Sequence, residues 1–325
     1  MERFRKIFSI CAAAAFAAAA SVGTASAQTG GAPSIRLIVA YGPGGGTDIL
    51  ARLLAPKLTD LLRQQEVVEN RGGAGSRIGS EAVARAKPDG LTILMTDTAF
   101  TTNPSLYDKM PFDSVKDFAP ISLLASAPVI LVVHPSMPAK NLKELVALGK
   151  GTELLSAAAG AGSATSLATD LFASVAQIKI RQIRYKGVGP ALTDVLGGQV
   201  PMMITGISST KSHVDGGKLR AMAVSGGKRA PSMPNVPTFD EAGVPGVDAN
   251  SYWGALAPAG TPKEVIDRMS KAMAAAVKMT DVSQRLIELG FDPIGTTAEE
   301  YRVNLQQETA RWAAVIKSAD IKLED

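Results

Sequence analysis

The sequence predicts an α/β protein of two lobes, and three observations predict it. Short apolar runs alternate with helix-period patterns almost from end to end, the form taken by parallel strands flanked by helices. The chain is long enough for a single core to divide. Two extended stretches, 121–134 and 250–258, read as crossings between the lobes.

The chain opens with an address. Arg3, Arg5 and Lys6 precede an apolar run over 7–20, and Ala25, Ser26 and Ala27 stand before Gln28, the small-residue pattern of a cleavable leader. That run is shorter than the roughly 20 residues that span a bilayer, so cleavage after Ala27 and export to the periplasm are expected. The only cysteine, Cys11, leaves with the leader, so the mature chain has no thiol, disulfide or thiolate metal site. About 300 residues remain, the size at which one core gives way to two. The formal net charge of +4 is small and evenly spread, which speaks against nucleic acid as a partner.

The first unit sets the pattern for the rest. Ile35, Leu37, Ile38, Val39 and Ala40 read as a strand buried on both faces. A glycine-rich turn follows. Leu50, Leu53, Leu54, Leu58 and Leu61 then recur at helical spacing, with Pro56 as the expected kink. Further strands are predicted at 66–69, 91–95, 154–158, 182–185, 202–205 and 219–224. Helices are predicted at 78–86, 142–149, 165–175, 190–196, 265–279 and 298–318. With both crossings as hinge strands, 28–134 and 250–325 form the first lobe and 135–249 an inserted second lobe. Such a double connection permits closure about a cleft.

Three glycine-rich turns stand between a strand and a helix, where helix N-termini present unpaired N–H groups and attract anions. The first is Tyr41-Gly42-Pro43-Gly44-Gly45-Gly46-Thr47-Asp48. Its glycines would let a ligand reach the backbone, Thr47 would offer a hydroxyl, and Asp48 would shape the loop as a helix cap. The second is Ala159-Gly160-Ala161-Gly162-Ser163-Ala164-Thr165, whose Ser163 and Thr165 hydroxyls either bind a carboxylate or cap the helix. The third, Lys186-Gly187-Val188-Gly189-Pro190, joins a cation to a helix start.

Enzymatic patterns are weaker. Thr47 and Thr165 stand where a dinucleotide GxGxxG would place its third glycine, and neither turn ends in Gly-Lys-Ser/Thr. His134 and His213 form no HExxH pair, and there is no GxSxG elbow. No catalytic residue, cofactor or metal is expected, although acid–base chemistry by a pair of carboxylates stays open.

Longer stretches resemble a known family. Gly42-Pro43-Gly44-Gly45-Gly46-Thr47-Asp48 with Ala51-Arg52, Val68-Glu69-Asn70-Arg71 with Gly72, Gly75, Ile78 and Gly79, and Pro88-Asp89-Gly90 together look like the Bug family. These are the extracytoplasmic solute receptors of tripartite tricarboxylate transporters. Tyr185-Lys186-Gly187, Gly197-Gly198-Gln199-Val200, Pro234-Asn235-Val236-Pro237-Thr238 and Trp253-Gly254 continue the match in order.

The resemblance implies a type II periplasmic binding protein, a Venus flytrap of two mixed sheets flanked by helices. Such a protein takes a small organic carboxylate without catalysis or cofactor and passes it to membrane permease subunits. Carried onto this sequence, the first loop (Tyr41, Gly42, Gly44, Gly45, Gly46, Thr47, Asp48) and the second (Gly162, Ser163, Ala164, Thr165) would grip one carboxylate as a pincer. Thr98, Asn103, Lys186, Gly187 and Thr205 would line the rest. Tyr41 departs from the family's loop, and its ring would meet the ligand's side group. A monomer is expected. A periplasmic enzyme acting on a small acid and a ligand sensor for a membrane signalling partner are the competing readings.

Overall fold

The structure is a computed structural model that describes residues 33–160, 163–247, 249–318 and 321. The leader with its cleavage point, and Gly162 of the expected pincer, lie outside the described residues.

Strand β1 (Ile35–Val39) buries every residue except Arg36, whose guanidinium donates to Thr92 Oγ1 at 2.9 Å. Helix α1 (Gly46–Leu62) buries Leu50, Leu54, Leu58 and Leu62, a four-residue spacing that lines one helical face. It runs on through the exposed Pro56 and stops where Arg63 enters the left-handed region at φ 50°. Strands β2 (Glu66–Asn70) and β3 (Thr92–Asp97) lie parallel on either side of β1, with α2 (Arg77–Ala84) between them in the chain. Helix α3 (Ala99–Leu106) follows β3 directly, so Thr98 stands at its N-cap and Asn103 lies within it.

The 16-residue strand β4 (Phe118–Val133) organises everything else. Its first two-thirds pairs antiparallel with β9 (Asn250–Pro258), and its last residues lie between β7 (Met202–Gly206) and β8 (Arg220–Val224). Strand β9 also meets β3, and the short β10 (Asp292–Pro293) pairs with Ser126 and Ala125. Strands β5 (Leu154–Ala158) and β6 (Ile180–Arg184) complete the far end, parallel to β7. The order is β2-β1-β3-β9-β4-β7-β5-β6. Strands are parallel where strand–helix–strand units run and antiparallel where β4 and β9 thread through. The two mixed sheets therefore share β4 and form one ten-stranded sheet, with β8 and β10 paired to β4 off that order.

Helices α4 (Leu142–Gly151), α5 (Ala164–Ala176), α6 (Val188–Leu196) and α7 (Ile207–Asp215) lie between β4 and β8 in the chain; α8 (Lys263–Lys278), α9 (Thr280–Glu288) and α10 (Ala298–Ser318) follow β9. One core gathers β1, β3, β9, α1 and α8. Two more sit on opposite faces of the end of β4, because Val129, Leu131 and Val133 point one way and Ile130 and Val132 the other. Helix α10 contributes to both ends of the molecule: Tyr301 packs in the first core, Trp312 and Ile316 in the core with Val129.

Helices α3, α7 and α9 were not expected. Helix α3 carries three threonine or asparagine residues before Pro104, and α7 buries Ile207 with the polar Ser209 and Thr210. Helix α9 buries only Val282 and Leu286. Tertiary packing of small polar residues, with no apolar stripe, sets α3 and α7, whereas α9 has a stripe too short to signal a helix, Val282 and Leu286 four residues apart.

Candidate ligand-binding cleft

The first glycine loop leaves β1 and enters α1 with Gly45 as an extended N-cap. Asp48, buried in the first helical turn, reaches back to accept from Gly44 N at 3.0 Å, and also takes Arg52 Nε at 3.0 Å and Asn70 Nδ2 at 2.9 Å. Burial pushes its carboxyl up, but the bonds from Arg52, Gly44 and Asn70 outweigh that and hold it below the usual carboxylate range. Asp48 thus shapes the loop from inside the helix and not as the expected cap, a position held by Gly45. Thr47 Oγ1 accepts from Trp253 Nε1 at 3.1 Å, so this hydroxyl is tied to β9.

The glycines themselves face protein. A Cβ on Gly46 would meet the Trp253 ring at 2.7 Å, and one on Gly45 would touch Val188. Gly44, at φ +91°, lies against the Cα of Gly189. Gly42 N donates to Lys186 O at 3.1 Å, and Ser209 Oγ donates to Gly44 O at 3.2 Å. A Cβ on Gly187 would fall 2.9 Å from Gly42 N, and one on Gly72 would fall 2.7 Å from the same atom. The bare backbone was expected to admit a ligand; in the structure it admits the third turn, from the other end of the sheet. Two of the three turns therefore converge by direct backbone contact.

Beside this seam lies a cleft of ≈770 Å³. Tyr41 and residues 73–77 and 105–108 line it from one side, Ala159, Gly160 and residues 184–186 from the other, with Ile321 at its margin. Its charged lining is Arg77, Arg184 and Lys186 against Asp108. Three cations facing one carboxylate favour an anionic guest.

Of the expected site residues, Tyr41 and Lys186 line this cleft. The second loop reaches it through Ala159 and Gly160, while Ser163 caps α5 by accepting from Ser166 N at 3.2 Å and bonds to Thr165 Oγ1 at 2.9 Å. Ala164 is buried behind the cap. Thr98, Asn103 and Thr205 do not line this cavity. Thr98 Oγ1 accepts from Tyr252 N at 3.0 Å, and Thr205 is fully buried on β7 opposite Ile130. Asn103, 1% exposed, donates to Gly75 O at 2.8 Å from behind the cleft wall.

That wall is a feature the sequence did not assign. Ala74, Gly75 and Ser76 adopt φ of 48°, 62° and 72°, three consecutive left-handed residues, two of them with side chains. Each non-glycine there costs roughly 1–2 kcal/mol, which the Asn103 bond helps to hold. Tyr41, at the seam, donates to Asp97 Oδ1 at 2.8 Å. Burial pushes the Asp97 carboxyl up to about 6, against the bonds from Tyr41 and Ala99 N that favour its charge. Burial and the neighbouring Asp97 push the Tyr41 hydroxyl well above its ordinary value.

Among the described residues, no group of three or more His, Cys, Asp and Glu is placed to hold a metal, and no helix is long and apolar enough to cross a membrane.

Residues 50–321 match the model of the tripartite tricarboxylate transporter family receptor. The chain belongs to this family. Protein BugT of Bordetella pertussis is 34% identical over 302 residues, covering 92% of this chain and 93% of the relative. The structure of periplasmic binding protein BugD superposes with a TM-score of 0.86 at 34% identity, over 90% of this chain and 99% of its own. An R. palustris protein solved with adipate gives 0.86 at 32% identity, over 89% and 98%. The Bug resemblance and the two-lobed α/β binding-protein fold both hold for this receptor.

Proposed function

We propose that this receptor is exported to the periplasm, captures a small organic carboxylate in the ≈770 Å³ cleft, and delivers it to the membrane permease of a tripartite transporter without turning it over. The observation that carries the reading is the cleft itself, lined from both ends of the sheet with Arg77, Arg184 and Lys186 against the single Asp108. The structural neighbour solved with adipate supports an acid as guest. The lobes would be 28–134 with 250–325, and 135–249, moving about β4 and β9 where Pro128 pairs with Asn250. Helix α10, which reaches both cores, would be a third tie across that motion.

A thermal-shift screen of the purified protein against mono-, di- and aromatic carboxylates tests this. A binding acid at a hundred times its Kd adds about 2.7 kcal/mol of stability. Stabilisation by sugars or cationic amino acids with none by any acid would overturn the assignment. Disappearance of a bound acid on incubation would make the protein an enzyme.

A further inference from the structure

The cleft holds an excess of one residue type. The chain has five tyrosines, and three of them, Tyr41, Tyr107 and Tyr185, line this one cavity. They come from the β1 turn, the end of α3 and the end of β6, and so from both ends of the sheet. Their hydroxyls offer little to a ligand. Tyr41 donates to Asp97 at 2.8 Å and Tyr185 to Asp194 Oδ2 at 2.6 Å, so two phenols are already committed to carboxylates of the protein. Tyr107 carries the Arg77 guanidinium 3.5 Å from its ring centroid, a flat cation on a flat ring. Tyr41 is buried, so the ring surface that the cavity meets beside positive charge comes from the half-buried Tyr107 and Tyr185.

Their rings also lack ring partners. Among the described residues, the aromatic pairs are Phe100, Phe112 and Phe118 together, Phe172 with Phe239, and Trp253 with Phe291, none of which includes these tyrosines. An aliphatic acid would use the cations and leave the rings with only non-specific contact. A planar ring bearing a carboxylate would use both.

Resting on the receptor reading above, we propose that this cleft selects acids built on an aromatic ring, the ring meeting Tyr107 and Tyr185 and the carboxylate meeting the Arg77 and Lys186 charges. Benzoate and benzene-1,4-dicarboxylate represent the class. Cyclohexanecarboxylate and cyclohexane-1,4-dicarboxylate match them in charge and near-size without the π face.

Isothermal titration of the full mature chain with these four acids and adipate tests the proposal. At least one aromatic acid should bind about tenfold or more tighter than its saturated counterpart, a difference of about 1.4 kcal/mol. Tyr107→Leu and, independently, Tyr185→Leu should narrow that ratio by several-fold while shifting the saturated acid's Kd by less than about threefold. A melting curve beside each titration identifies a variant that fails to fold, in which case the other decides. Equal or tighter binding of the saturated acids, or of adipate alone, overturns the aromatic preference and leaves the receptor reading standing. A ratio that both folded variants leave intact also overturns it. Binding of no acid of either kind overturns both.

Discussion

Replacing Gly189 by alanine should hold the cleft open while leaving each end of the molecule folded. Gly189 is the second residue of α6, outside the left-handed region, so alanine suits its backbone and gains up to about 1 kcal/mol of helix propensity. Its Cβ would nevertheless drive into Pro43 O, well inside van der Waals contact, and backbone on both sides leaves no flexible tip to give way. The two turns must then separate by about 1 Å. The Gly42 N to Lys186 O bond at 3.1 Å and the Ser209 Oγ to Gly44 O bond at 3.2 Å would both stretch past useful length. At about 1 kcal/mol net each, the closed form loses about 2 kcal/mol, or roughly thirtyfold in population. If ligand binds the closed form, its apparent Kd should rise by up to that factor. Isothermal titration with any bound acid measures the change, and Gly151→Ala, where an added Cβ meets nothing within 4 Å, is the control. A Gly189→Ala protein with wild-type Kd and wild-type dimensions in solution scattering would refute the seam as the closing contact.

Three further outcomes follow from buried groups. Glu66 is 4% exposed with both carboxyl oxygens unpartnered among the described residues, and burial, against the pull of Arg268, raises its pKa to about 8. Because the folded value lies above the ordinary 4.5, its contribution to stability is complete below pH 4.5 and is lost as pH rises through 8. Glu66→Gln should therefore come close to wild type near pH 4.5 and exceed it by up to about 5 kcal/mol at pH 8.5 in denaturant titrations; an equal midpoint at both pH values contradicts this. Asp97, raised to about 6, likewise stabilises fully below its ordinary 3.8 and loses that contribution as pH rises through 6. Tyr41→Phe removes a donor that favours the charged form, so carbon-detected NMR should find the Asp97 midpoint moved upward, and a downward move would contradict the bond. Trp312 is fully buried in the second core, so Trp312→Ala should cost about 3–5 kcal/mol in urea unfolding, and a loss under 1 kcal/mol would mean that α10 does not hold that core.

The fold was legible where apolar residues keep a period. The run from Ile35 to Ala40 and the Leu50–Leu54–Leu58 spacing predict β1 and α1 because burying those faces dominates local alternatives. It was illegible in α3 and α7, whose buried residues include Thr101, Thr102, Ser209 and Thr210. For the cleft, glycine density pointed to the right turns but not to what each glycine does. Local rules see that Gly42 and Gly187 lack side chains; only the fold brings one against the other. Gly72 and Gly75 mark the wall at 73–77, yet nothing in the sequence announces left-handed Ala74 and Ser76. Tyr107 and Tyr185 are ordinary residues in sequence and meet Tyr41 only because β1, α3 and β6 end at the same place.

Closure and selection thus rest on different atoms, which makes them separable. The seam from 42–46 to 186–189 is mainly backbone against backbone, with Val188 beside Gly45 and Ser209 on Gly44 O, and brings no tyrosine ring into its contacts. Tyr107 and Arg77 lie in the cavity lining and take no part in the bonds across the seam. Gly189→Ala should therefore weaken aromatic and saturated acids by the same factor, because it taxes a step common to both. Tyr107→Leu should weaken the aromatic acid alone. In the double variant the two losses should add within about 0.5 kcal/mol, as expected for independent contributions. A coupling larger than about 1 kcal/mol, read from titrations of the four proteins, would mean that ligand ring and closing seam are one device, with the tyrosines helping to pull the turns together.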